Sequence, residues 1–172
     1  MIKYYDAAIV LQEFPDEIAL GLSITNCPGC CESCSEPWLR EDTGTELTYE
    51  EIDRLLGIFP DITLIGFMGG DNDHETIKKL AKYIHSKAIK VGFYSGQEYL
   101  DLNLVNVIDY YKIGRWVMPK GEIDSWWKTN CGPLKFTFSN QLMFKRVDGK
   151  LINITNRFRE KPLNNLKKEI IA

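Results

Sequence analysis

The chain has 172 residues, 44% of them hydrophobic and 26% charged, and carries a net charge of −3 from 24 acidic and 21 basic side chains. That composition suits one domain that buries roughly 70% of its unfolded surface without needing disulfides. It excludes attachment to nucleic acid through bulk positive charge, and no apolar run reaches the ~20 residues that span a bilayer. The opening segment Met1-Ile2-Lys3-Tyr4-Tyr5-Asp6 lacks the apolar stretch of a secretory signal. A cytoplasmic location is therefore expected, where thiols stay reduced and clustered thiols point to metal.

In chain order, Ala7 to Gln12 and Ile18 to Thr25 read as strands joined by a turn at Pro15-Asp16. A cysteine-rich loop follows the second strand, and Pro28, Gly29 and Pro37 keep it irregular. Thr48-Tyr49-Glu50-Glu51 is a capping-box signature that opens a helix through Phe59, with Leu47, Ile52, Leu55, Leu56 and Phe59 as its apolar stripe. Ile62 to Met68 is apolar on both faces, as in a covered parallel strand, and runs into Gly69-Gly70-Asp71. A helix from about His74 to Ser86 turns Ile77, Leu80, Ala81 and Ile84 inward. Ile89 to Tyr94 forms another strand, ending in Ser95-Gly96; a short helix covers about Glu98 to Asn106; Asp109 to Ile113 is a further strand, ending at Gly114. Gln141 to Val147 and Leu151 to Thr155 make a hairpin around Asp148-Gly149. Residues 1–160 form a single domain, and 161–172 a tail or short helix.

This alternation predicts an α/β fold with a mainly parallel sheet, whose ligand site lies beyond the carboxyl ends of the strands. Four such ends carry glycine or thiol chemistry: the Cys27–Cys34 loop, Gly69-Gly70-Asp71, Ser95-Gly96 and Lys112-Ile113-Gly114.

Four of the five cysteines fall within Cys27-Pro28-Gly29-Cys30-Cys31-Glu32-Ser33-Cys34. Core cysteines are normally scattered, whereas a soft metal or iron–sulfur cluster needs thiols together. Cys27, Cys31 and Cys34 are spaced C-x3-C-x2-C. Three thiolates can hold three corners of a four-iron cluster and leave the fourth iron open to a small molecule. A zinc site competes with this reading, because Cys27-x2-Cys30 and Cys31-x2-Cys34 are CxxC pairs. The pairs abut, however, where zinc sites usually have a long insert, and neither His74 nor His85 stands at a ligand spacing. A ferredoxin-type carrier uses C-x2-C-x2-C-x3-C-P, an order this chain does not follow. Taken alone, Gly69-Gly70-Asp71 and Ser95-Gly96 read as tight turns, His74 as a solvated residue near a helix start, and Lys112 as a surface lysine. Trp116, Trp126 and Trp127 fit a core or a partner surface equally.

Together these segments resemble the radical S-adenosylmethionine (SAM) superfamily, and within it the activating proteins of anaerobic (class III) ribonucleoside-triphosphate reductase. The likeness rests on Gln12-Glu13-Phe14-Pro15-Asp16-Glu17, Asn26 through Cys34, Pro37-Trp38, Ile65-Gly66-Phe67-Met68-Gly69-Gly70-Asp71, Gly92-Phe93-Tyr94-Ser95-Gly96, Asp109-Tyr110-Tyr111-Lys112-Ile113-Gly114 and Ser139-Asn140-Gln141, in collinear order over roughly residues 5 to 159. It implies a [4Fe-4S] cluster on Cys27, Cys31 and Cys34, with SAM on the open iron. Gly69, Gly70 and Asp71 match the motif that contacts the SAM amino group, Ser95 a position near the ribose, and Lys112 a further contact with the cofactor. It also implies a partial, open β/α barrel, reductive cleavage of SAM, and a 5′-deoxyadenosyl radical that takes hydrogen from a glycine of the reductase large subunit. The electron would come from a reducing protein such as flavodoxin or ferredoxin. No side-chain acid or base is required.

The chain departs from the family pattern in having Glu32-Ser33 before its third cysteine and Ser35 after it, and in a longer Met118–Phe138 stretch; Cys30 and Cys131 receive no role. Two other readings stand beside the reductase activase. One is a radical SAM enzyme acting on another protein or peptide; the other is a noncatalytic zinc or iron–sulfur binding module.

Overall fold

The structure is a computed structural model and describes residues 1–32, 34–116 and 141–158. The expectations for Ser33, Met118–Phe138, Trp126, Trp127, Cys131, Ser139, Asn140 and 161–172 lie outside the described residues.

Among the described residues, eight strands form one open sheet: β1 (Lys3–Val10), β2 (Ala19–Ile24), β3 (Thr45–Glu46), β4 (Leu64–Met68), β5 (Lys90–Tyr94), β6 (Tyr110–Ile113), β7 (Leu142–Val147) and β8 (Lys150–Asn153). Their spatial order is β3-β1-β2-β4-β5-β6-β7-β8. The sheet is mixed rather than mainly parallel. Parallel pairing is confined to the central run β2, β4, β5 and β6, and both flanks are antiparallel. The tight β7–β8 link, Asp148-Gly149, both at positive φ as a type I′ turn requires, can only reverse the chain, whereas parallel neighbours need a crossover.

Helix α1 (Tyr49–Ile58) and helix α2 (His74–Ser86) supply crossovers. Thr48 caps α1 by accepting the Glu51 N–H, and Asp73 caps α2 by accepting the Thr76 N–H. The expected capping box is only half made: the Glu51 carboxylate turns instead to Arg54 and the Tyr4 hydroxyl. In α2, Ile77, Leu80, Ala81 and Ile84 are all buried, as their spacing predicts. The short helix expected over Glu98–Asn106 does not form. The segment is a run of turns in which the Asp101 carbonyl takes the Leu104 and Val105 N–H groups and its side chain takes the Asn103 N–H. An aspartate that captures the backbone this way competes with helix propagation.

Strand alternation gives the sheet two unlike faces. Leu20, Leu22, Ile24, Ile65, Phe67, Val91, Phe93, Tyr111 and Ile113 join the main core with residues of α1 and α2. On the other face Gly21, Gly66 and Gly92 stand in register across β2, β4 and β5. The Phe14 ring lies over two of them; a Cβ would come within 2.4 Å of it at Gly66 and 2.2 Å at Gly92, while Gly21 is covered by Met68 and Val10. Phe14 is fully buried and packs on Tyr94 and Tyr110, with ring centroids 5.1 and 6.0 Å away.

The turn that carries Phe14 is tied down on several sides. Tyr110 Oη donates to the Pro15 carbonyl, and Glu17 accepts from Thr63, Lys90 and Tyr110. Arg157, beyond β8, forms a two-pronged ion pair with Asp16, joined by Lys145. The turn thus fills the middle of this face. The carboxyl-end positions Ser23, Met68, Tyr94 and Lys112 lie beyond it, side by side in register.

Candidate functional site

Parallel pairing places the ends of β2, β4, β5 and β6 on one edge of the sheet, and the loops after them meet there. The cysteine loop leaves β2 through Asn26. It is clasped at its base, where Asn26 N–H donates to the Glu41 carbonyl and Cys27 N–H to the Leu39 carbonyl. Leu39 belongs to a short 3-10 helix, Pro37–Arg40, and is its buried residue. Inside the loop, Cys34 N–H donates to the Cys31 carbonyl, which also accepts from Arg40 Nη2.

All four described cysteines are free thiols: Cys27, Cys31 and Cys34 are half-buried, and Cys30 is exposed. Burial pushes the Cys27 thiol above its ordinary pKa, partly offset by an N–H from Gly29; the neighbouring charges of Asp71, Cys34 and Cys31 raise it further.

At that end, Gly69 and Gly70 both adopt φ of +117°, which side chains rarely tolerate, and a Cβ on Gly70 would meet Ile77 at 2.9 Å. The double-glycine turn delivers Asp71 into a small network. Ser95 Oγ donates to Asp71 Oδ1 at 2.7 Å, and Gly96 N–H donates to Oδ2 at 2.7 Å. His74 Nε2 lies 3.2 Å from Oδ1, while its Nδ1 lies 2.5 Å from Asp101 Oδ2. Burial alone would raise the Asp101 carboxyl, but hydrogen bonds from the Asn103 N–H and from His74 hold it below its ordinary value. Beside Asp71, the buried Asn72 Oδ1 has no partner among the described residues.

The candidate residues therefore fall into two groups. Cys27, Cys31, Cys34, Gly69, Gly70, Asp71 and Ser95 share one edge. The Lys112 side chain is not bonded to that network, although its carbonyl accepts the Ser95 N–H. Instead Lys112 Nζ lies on the plugged face, 3.7 Å above the Tyr94 ring. Burial pulls its pKa down to about 8, opposed by the charge of Glu13. Tyr94 Oη donates to the Glu13 carbonyl and carboxylate, and burial raises the Tyr94 pKa well above its ordinary value. Gln141, the described part of the Ser139-Asn140-Gln141 segment, reaches the same edge by donating to the Gly114 carbonyl.

Sequence reasoning assigned no role to His74, Asp101, Glu13 or Tyr94. The i,i+3 spacing from Asp71 to His74 was a usable signal; Asp101 and Glu13 arrive through tertiary contacts that no local pattern announces.

The donor chemistry of the loop fits a soft-metal group: several free thiols on one clasped loop, three of them half-buried and within electrostatic reach of one another. Among the described residues, no three His, Cys, Asp or Glu side chains are gathered closely enough to hold a single metal ion. Among them, too, no helix is long and apolar enough to cross a membrane. The chain matches no family model, no curated protein and no solved structure.

Proposed function

We propose that the chain is a radical SAM activase with the partial, open β/α barrel of that superfamily. In this reading Cys27, Cys31 and Cys34 hold a [4Fe-4S] cluster, and SAM lies against the strand edge. The product is a glycyl radical on the large subunit of an anaerobic ribonucleoside-triphosphate reductase, with flavodoxin or ferredoxin as electron donor. One observation carries most of the weight: the Gly69-Gly70 turn after β4 delivers Asp71 to the Ser95 hydroxyl and Gly96 N–H after β5, on the same sheet edge from which the cysteine loop leaves β2.

When bound, the cluster supplies one electron to the sulfonium of SAM. The protein's own contribution is positional. Gly69 and Gly70 let a ligand approach the backbone closely, and Asp71 places negative charge near the expected amino group. Lys112 offers a cation on the inner face for a ligand carboxylate. The raised Cys27 pKa means that a proton must leave this thiol as metal binds, so loading is favoured at higher pH.

Anaerobic reconstitution followed by electron paramagnetic resonance tests the reading. A reduced-cluster signal that changes on adding SAM is expected, then a glycyl-radical doublet when the reductase is mixed in. A protein that assembles no cluster, or whose signal ignores SAM, would sink the proposal. A SAM-responsive cluster without the doublet would move the substrate to another protein or peptide.

A further inference from the structure

We propose that His74 is a positioning residue that holds the Asp71 carboxylate in its place at the strand edge. The two preceding glycines leave the turn after β4 with little rigidity of its own, so the direction of Asp71 depends on its partners. Among the described residues, three groups grip it: the Ser95 hydroxyl, the Gly96 N–H and His74 Nε2. The first two belong to the end of β5. His74 is the one that ties Asp71 to α2 and, through Nδ1 and Asp101, to the turns between β5 and β6. The ring stands edge-on to Phe93 at 5.7 Å, which fixes its plane so that each nitrogen meets a carboxylate.

The side chains of Asp71, His74 and Asp101 are 8%, 21% and 17% exposed, so water does not easily replace these bonds. The histidine thus has a specific geometric task that packing alone would not give it. The inference rests on the preceding reading only for the identity of the ligand.

Two substitutions separate the task from mere packing. A glutamine amide reaches about where Nε2 lies and can still donate to Asp71; an asparagine amide reaches only the Nδ1 position. The first readout is hydrogen exchange of the Gly96 amide in the ligand-free full-length chain, followed by two-dimensional NMR, because that N–H is bonded to Asp71 Oδ2. His74→Gln should exchange within about threefold of the parent, and His74→Asn about tenfold faster. The second readout is the dissociation constant for SAM in the reconstituted protein, with the same ordering and about tenfold weaker binding in His74→Asn.

Gly96 exchange unchanged in both variants would overturn the proposal. So would equal acceleration in both alongside an equal fall in Tm, which is the signature of a packing role. If the exchange ordering holds but the reconstituted parent chain takes no SAM, the positioning role stands and the SAM reading falls.

Discussion

The two faces of the central sheet are built from the same four parallel strands but solve different problems. The helix-covered face is filled by large apolar side chains, and its register with α1 and α2 is the ordinary interdigitation of a core. The opposite face gives up side chains at Gly66 and Gly92 and accepts there the Phe14 ring from the β1–β2 turn, while Gly21 is covered by Met68 and Val10. Beyond that ring it presents Tyr94 and Lys112, polar groups that a face made only for stability would omit. One face is redundant, with many side chains sharing the work. The other has a smaller cluster, in which Phe14 packs with Ala19, Leu64, Tyr110 and Met143, and it keeps a charged residue in an unfavourable place.

The sharpest way to break this contrast is to remove the plug. Phe14→Ala should destabilise the chain by about 3–5 kcal/mol in urea unfolding, while Ile84→Val in α2 costs about 1 kcal/mol. Gly92→Ala, which drives a methyl group into the Phe14 ring, should cost about 1–3 kcal/mol. In the Phe14→Ala background the same change should become nearly neutral, whereas its effect should simply add to that of Ile84→Val. Additivity between Phe14 and Gly92 would show that the plug does not occupy the glycine row.

Lys112 tests the second half of the contrast. Its folded pKa is depressed to about 8 from 10.5, mainly by burial, so below that value the folded chain carries a poorly solvated ammonium. The unfolded chain keeps the proton until 10.5, so stability is gained as pH rises from 8 towards 10.5 and lost as pH falls back through 8. Lys112→Met should therefore raise stability at pH 7 by on the order of 2 kcal/mol. The advantage should shrink as pH climbs through that window in thermal melts, and SAM binding should weaken in the reconstituted variant. A lysine variant that is less stable than the parent at pH 7 would mean the residue serves the fold.

The smallest effect is expected where the plug is tied to the far flank. Arg157, and then Lys145, hold the Asp16 carboxyl far below its ordinary value of 3.8. The depressed pKa makes the stabilisation present above 3.8 and lost as pH falls further. The pair is half exposed, so Asp16→Asn should lower Tm by about 1 °C or less near neutrality, and the gap should close in acid. A drop of many degrees would show that this flank, rather than Phe14, seats the turn.

Much of the architecture was legible in the sequence because it follows from local periodicity. The α2 helix runs from His74 to Ser86 as its apolar spacing and Asp73 cap indicate, and the four strand ends share an edge because α/β connectivity puts them there. The expected helix over Glu98–Asn106 failed because, although Leu100 and Leu104 stand four apart, Asp101 diverts the backbone, and Leu102 is left 81% exposed. The plug escaped notice for a different reason: Gly66 and Gly92 on separate strands mean nothing until register aligns them. His74 read as solvated because its second carboxylate arrives from a turn 27 residues away.

The seating of Phe14 also has a consequence for how the chain reaches its native state. The turn precedes its partners by a long stretch of chain: Tyr110 lies 95 residues beyond Pro15 and Arg157 141 residues beyond Asp16. Its docking surface is complete only after β4, β5 and β6 have paired, and such long-range closures are slow compared with local helix formation. Until those strands have paired, the aromatic side chain and the bare backbone of Gly66 and Gly92 stay exposed together. Aggregation during refolding should begin from that face, and conditions that favour its docking should raise the yield of native protein.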